Sequence, residues 1–333
     1  PGLRFNKTVS PNDLIMPWPL NERRSYMGFS RADRSTTAAL CRLALLFFPA
    51  GVIAQDLEPR TYSNLPIGQN YLIGGYAHSE GEITPAPSVP IKDIDLTQDA
   101  FVGAYARTID LWGDAGKVDV LWSRVCMEGE ATLGDQTTRG DRCGTSDPRA
   151  RLTYLFYGAP AMNLDEFKAT PISRVIGASL AVSPPLGDYN EANLINSGSN
   201  RWTFKPDIGI SNRHGNWSLE ASFGARFFTD NDSFYGQKKL EQDPLYQLQG
   251  NVIYHFPRGR WLSLDGNYFW GGETQKDGVE SDDLQKNSRV GLTLGWPLSN
   301  QYSVKFYANR GLVTRIGNDS DTLGMALQYR WGE

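Results

Sequence analysis

The residues that could do chemistry here are few. They are three histidines, three cysteines and a set of charged side chains at alternate positions of extended runs. A histidine serves as general base only beside a nucleophile and a group that orients it. His78 lies near the end of one run, His214 in a short turn and His255 at the end of another, none next to a serine on an oily parity. No catalytic residue is assigned. Cys126 and Cys143 have no histidine close by, so a zinc site is not expected. NLDEF (163–167) and ETQKDGVESDD (273–283) are acidic but lack calcium-loop spacing. With no phosphate loop or redox motif, neither metal nor cofactor is expected. What remains is Lys205, Asp207, Glu220, Arg226, Asp265, Arg289, Lys305 and Arg330. Side chains of mixed sign suit the lining of a watery path, where opposite charges pair and the local field decides what passes. The competing reading is a charge ladder that fills and braces a closed barrel.

These charges must be held by strands. In YQLQGNVIYHF (246–256), Tyr246, Leu248, Val252, Tyr254 and Phe256 share one parity, and Gln247, Gln249, Asn251 and His255 share the other. A strand sends successive side chains to opposite faces, so one face is oily and the other rich in amides. Similar runs recur at about 70–78, 98–110, 117–130, 150–157, 174–183, 201–211, 216–228, 245–256, 261–271, 287–297, 302–313 and 321–331. Around Phe101 to Ala106 both parities are small or apolar, and the inward one is not readable. Connections alternate between short turns and long polar stretches at 82–95, 133–148, 185–200, 230–242 and 273–286. One connection on the short side, 158–173, is long enough for a short helix.

Aromatics gather beside the short turns: Trp217, Phe256, Trp261, Trp296, Tyr302, Tyr329 and Trp331. That is the pattern of a membrane-interface belt. Charges in strand middles are costly against lipid or in a dry core but tolerable around water. Only a closed sheet leaves no unpaired edge in lipid. The expected fold is an all-β, closed antiparallel transmembrane barrel of about 12 strands over 70–331, with short periplasmic turns, long extracellular loops and its oily face toward lipid.

The chain has 333 residues, a mean hydropathy of −0.42 and a formal charge of −4. A bundle of membrane helices needs roughly 20 consecutive apolar residues per span, which is not found, and the acidic balance gives nucleic acid no support as a partner. The one long apolar run, LCRLALLFFPAGVIA (40–54), fits a secretory signal over 27–54, with Arg31 and Arg34 before it and cleavage ahead of Gln55. Met27 would then be the start, 1–26 an upstream extension and 55–69 a periplasmic segment. In an exported chain, Cys126 and Cys143 are candidates for a disulfide.

Several stretches resemble a family of outer-membrane transporters named for the meta-pathway of phenol degradation. They are DLEPRTYSNLPIGQNYLIGGYAHSEG (56–81), GAPAMNLDEFKAT (158–170), VIGASLAVSPPLGDYN (175–190) and NRWTFKPDIGIS (200–211). The resemblance implies a barrel in the outer membrane of a Gram-negative bacterium that passes small, often aromatic or hydrophobic, compounds. Expected partners are outer-membrane lipids and lipopolysaccharide, a small-molecule solute and the barrel-assembly machinery. Two alternatives are a non-conducting structural barrel and a lipid-modifying barrel enzyme. Conductance separates the first from a channel, and histidine-dependent lipid hydrolysis marks the second.

Overall fold

The computed structural model describes residues 57–84, 91–133, 136–171, 173–193 and 195–332. The expected signal and upstream extension lie outside them. The chain is built from β1 (Gln69–Thr84), β2 (Ile91–Leu111), β3 (Asp114–Leu133), β4 (Gln136–Thr145), β5 (Arg149–Tyr157), α1 (Leu164–Ala169) and β6 (Arg174–Ser183). There follow β7 (Thr203–His214), β8 (Trp217–Phe228), β9 (Asn231–Phe234), β10 (Lys238–Gln242), β11 (Leu245–His255) and β12 (Trp261–Gly271). The last are β13 (Thr274–Lys276), β14 (Val279–Glu280), β15 (Gln285–Pro297), β16 (Tyr302–Val313) and β17 (Gly317–Gly332).

Twelve of these strands form one closed antiparallel ring, β1-β2-β3-β5-β6-β7-β8-β11-β12-β15-β16-β17. β17 returns to β1 along its whole length, from Gln69↔Gly332 to Thr84↔Gly317. The alternating residues decide which face turns out. Leu219, Phe223, Leu248, Val252, Leu264 and Leu292 are exposed on the outer wall, while their neighbours Ser218, Gln249, Asn251, Ser263 and Thr293 are buried on the inner one. The inverted arrangement, oily outside and polar inside, is what a lipid solvent demands. Around Phe101 the ambiguity resolves: Phe101 is exposed outward, and Ala104 and Ala106 are buried inward.

Aromatic girdles lie at two heights of the outer wall. Near the short turns, Trp217 meets Tyr254, Tyr254 meets Phe256, and Tyr302, Tyr329 and Trp331 stack in sequence. Toward the long loops, Phe223, Tyr246, Tyr268 and Trp270 form a second cluster. Trp261, expected in the first girdle, departs from it. It shares the parity of buried Ser263 and Asp265 and lies over Gly295, where a Cβ would come within 2.1 Å of its ring. Glycine there admits the indole to the inside of the barrel.

Some stretches read as loops contain strands. β4, within 133–148, pairs along β3 from Arg124↔Thr145 to Leu133↔Gln136, and Cys126 and Cys143 sit opposite one another and are disulfide-bonded. β9, β10, β13 and β14 make a four-stranded sheet from the loops 230–242 and 273–286. Asp283, from the acidic stretch, binds the Thr274 backbone N–H (2.7 Å) and hydroxyl (2.6 Å), so it closes this turn. In the connection 158–173, Asn163 and Glu166 form a capping box at the start of α1.

Candidate functional site

The inner wall has two characters. On β11, β12 and β15 it is a lattice of amides and hydroxyls. Gln247 donates to Gln249 (3.3 Å) and Gln249 to Asn251 (3.2 Å), one amide per inward position. Asp265, 1% exposed, accepts hydrogen bonds from the hydroxyls of Ser263 and Thr293, the latter at 2.7 Å. Arg289 donates to Asn309 Oδ1 (2.6 Å) and to the Ser320 carbonyl (2.5 Å). Burial without a partner would be costly for these groups. The period-2 placement supplies partners along the same strand, as for Gln247, Gln249 and Asn251, and on the next strand, as for Thr293 and Asp265.

The opposite wall, on β3 and β5 to β8, carries charge. Its inward residues include Lys117 and Asp119 on β3, Arg149 and Arg151 on β5, Lys205 and Asp207 on β7, and Glu220 and Arg226 on β8. Against this wall lies the stretch 57–68. The segment 55–69 was expected to stand in the periplasm, but its described part runs inside the barrel. Glu58 bridges Arg149 (2.8 Å) and Arg151 (2.5 Å), and Arg151 also pairs with Asp119 (2.9 Å). Burial alone would raise the Glu58 carboxyl, but the two guanidinium groups outweigh it and hold the group well below the usual carboxylate range. The Arg60 backbone N–H (2.7 Å) and Ser63 hydroxyl (2.9 Å) donate to Glu220, which also accepts the Ser211 hydroxyl (2.9 Å). The Tyr62 hydroxyl donates to Asp207.

Apolar contacts seat the same segment. Tyr62, 2% exposed, packs with Ala115, Leu155, Ala159 and Val175, and Ile67 lies against them. The ring passes over Gly209, where a Cβ would come within 2.2 Å of it. Arg60 stacks on the inward Trp261 at 5.2 Å. Between this inner segment and the long-loop end lies a cavity of about 70 Å³. Lys205, Asp207, Glu220 and Arg226 line it, with Tyr62, Glu58, Gln247, Gln249 and Asn251.

The charged residues singled out from sequence thus divide. Lys205, Asp207, Glu220 and Arg226 converge on the cavity. Asp265 and Arg289 are buried in the lattice across from them. Lys305 sits over the Tyr307 ring at 5.5 Å, and Arg330 reaches the Asn300 carbonyl (2.6 Å) at a short turn. Sequence reasoning missed Glu58, Tyr62, Asp119, Arg149 and Arg151. The alternation of Arg149, Arg151 and Thr153 was available as a signal, but nothing in 57–68 announced its destination. It also missed that Ser218 and His255 meet at 2.9 Å on the inner wall. This pair has no orienting acid among the described residues, so it holds two of the three parts of a hydrolytic triad.

The family model described as "Putative MetA-pathway of phenol degradation" matches residues 81–329. No curated protein matches the chain. Among solved structures, the COG4313 outer membrane channel from Pseudomonas putida F1 is similar, with a TM-score of 0.67 at 20% identity over 83% of this chain and 100% of that one. The transport unit of the autotransporter AIDA-I from Escherichia coli aligns over 88% of this chain and 97% of its own, at 10% identity and a TM-score of 0.48. The first of these likenesses shows that the fold is that of an outer-membrane barrel.

Proposed function

This chain belongs to the family described by the MetA pathway of phenol degradation, and from that premise we propose an outer-membrane channel of a Gram-negative bacterium through which small solutes pass passively, aromatic and hydrophobic compounds among them. One observation carries the proposal: the inner wall is largely polar on β7, β8, β11, β12 and β15 and holds a cavity, while the outer wall is oily. A barrel needed for bracing alone would gain nothing from such a space.

In this arrangement the short turns face the periplasm, as in barrels of this kind. A solute entering from the long loops reaches the cavity and then meets the stretch 57–68. It passes between that stretch and the amides of β11, or the stretch shifts. At the narrow level Glu58 is matched by Arg149 and Arg151, and Asp207 and Glu220 hold hydroxyl and amide donors. Paired charges leave little net field there, so passage depends on size and hydrogen bonding more than on sign.

Planar-bilayer recording and liposome swelling test the proposal. Small phenolic compounds are expected to enter faster than disaccharides, through a low unitary conductance. Absence of both current and swelling, from protein that shows the gel mobility of a folded barrel, would overturn the channel and favour a structural role.

A further inference from the structure

The stretch 57–68 meets the barrel wall over a second, smaller cavity of about 10 Å³. That is room for one occupant the size of a water or a single ion. Thr61 and Ser63 line it from the stretch, and Thr108, Lys117 and Thr153 line it from β2, β3 and β5. The last three form one row across their strands, with Thr108 opposite Lys117 and Lys117 opposite Thr153. The row faces inward, where Thr108 is 2% and Thr153 1% exposed.

Each of these five side chains can donate a hydrogen bond, and three have spent their proton within the protein. The Thr61 hydroxyl donates to the Glu58 carbonyl (2.9 Å), Ser63 to Glu220 (2.9 Å) and Thr108 to the Pro66 carbonyl (2.7 Å). The other two have not. The Thr153 hydroxyl is buried with no partner. Lys117 makes no hydrogen bond or ion pair among the described residues; Glu58 and Asp119, the carboxylates on this wall, are held by Arg149 and Arg151 instead.

A buried hydroxyl without a partner is costly, and an ammonium drawn out of water without a counter-charge more so. A water in the cavity would satisfy the hydroxyl but leave the charge unmatched. An anion accepts from both donors and supplies the missing charge. The small volume excludes carboxylates and phosphates and leaves a monatomic ion. We propose that Lys117 and Thr153 hold a halide ion, chloride in ordinary salt, at the seam between the inner wall and the stretch 57–68, and that this ion helps to fasten the stretch. The site goes beyond the channel proposal and does not depend on solutes passing.

The test uses the full chain folded in detergent micelles and crystallised with sodium bromide in place of chloride, because bromide scatters X-rays anomalously and water does not. One anomalous peak is expected between the Lys117 ammonium and the Thr153 hydroxyl, lost in Lys117→Met and weakened in Thr153→Val. Urea unfolding is followed in parallel in sodium chloride and in sodium gluconate at equal ionic strength, gluconate being too large for the cavity. The wild type should be more stable in chloride. Lys117→Met should abolish the difference between the salts, and Thr153→Val should raise the half-saturating chloride concentration about tenfold. Both variants are checked for folded-barrel gel mobility, and Thr153→Val carries the comparison if Lys117→Met does not fold. An ordered water only, with no anomalous signal, would overturn the site, as would a peak unchanged in the variants. Equal wild-type stability in the two salts would overturn the fastening. A bromide peak without bilayer current would sink the channel and leave the halide site standing. Current without the peak would do the reverse.

Discussion

At the scale of single residues, Tyr62 and Glu58 decide whether the inner segment stays in place. Tyr62 needs Gly209 beneath it, because a Cβ there would come within 2.2 Å of the ring. Gly209→Val should therefore dislodge the ring and the segment with it, at a cost of about 1–3 kcal/mol for overpacking. Single-channel current should rise while the barrel still folds; unchanged current would show that the segment does not depend on this contact. Glu58 gives a prediction in pH. Its carboxyl is held well below the usual range by Arg149 and Arg151. A lowered folded value means that its stabilisation is complete above the unfolded value, about 4.3, and is lost as pH falls through the folded one. Conductance should be flat from neutrality down to about pH 5 and rise only in stronger acid. Glu58→Gln should remove that acid step, and a step in the wild type near neutrality would contradict the assignment.

At the scale of elements, β4 extends β3 beyond the ring, and the Cys126–Cys143 bond is its internal fastening. Closing a loop of sequence separation 17 stabilises by about 3 kcal/mol in the chain-entropy account. Cys143→Ser should leave the twelve-stranded ring intact but make the β3–β4 hairpin a site of rapid proteolysis, as reduction of the wild type should; equal protease resistance would show that backbone pairing alone suffices. The barrel strands were legible because one solvent, lipid, imposes a strict two-residue period on the outer face. The runs at 174–183, 261–271 and 302–313 match β6, β12 and β16 residue for residue. β4 was not legible, since a ribbon outside the membrane has water on both faces and TTRGDRCGT carries no oily parity. PRTYSNLPIG (59–68) was opaque for a different reason. It has no period of its own, and its place is set by partners on β3, β5, β7 and β8. Trp261 was misplaced because its position beside a turn suits either face, and only Gly295 on the neighbouring strand favours the inner one.

At the scale of the whole molecule, one asymmetry organises everything else: each strand separates two solvents. The outer wall marks the limit of lipid by its own chemistry. Asp319, Glu82, Asp95 and Glu130 stand side by side across β17, β1, β2 and β3, beyond the exposed Leu323 on β17. Carboxylates in such a row belong in water or headgroups, so the hydrocarbon must end below them. Adjacent residues on β15 test the two-solvent arrangement most sharply. Leu292 is 52% exposed and Thr293 is 2% exposed, where its hydroxyl satisfies Asp265. In lipid vesicles Leu292→Lys should cost about 2–4 kcal/mol near the midplane, and Thr293→Val about 1–3 kcal/mol through the bond taken from buried Asp265. In detergent-free water an exposed Leu292 would instead tolerate lysine at almost no cost, as surface positions usually do. Urea unfolding from phospholipid vesicles separates the cases. A Leu292→Lys barrel as stable as the wild type would mean that this face does not meet acyl chains, and the orientation of every other inward residue would fall with it.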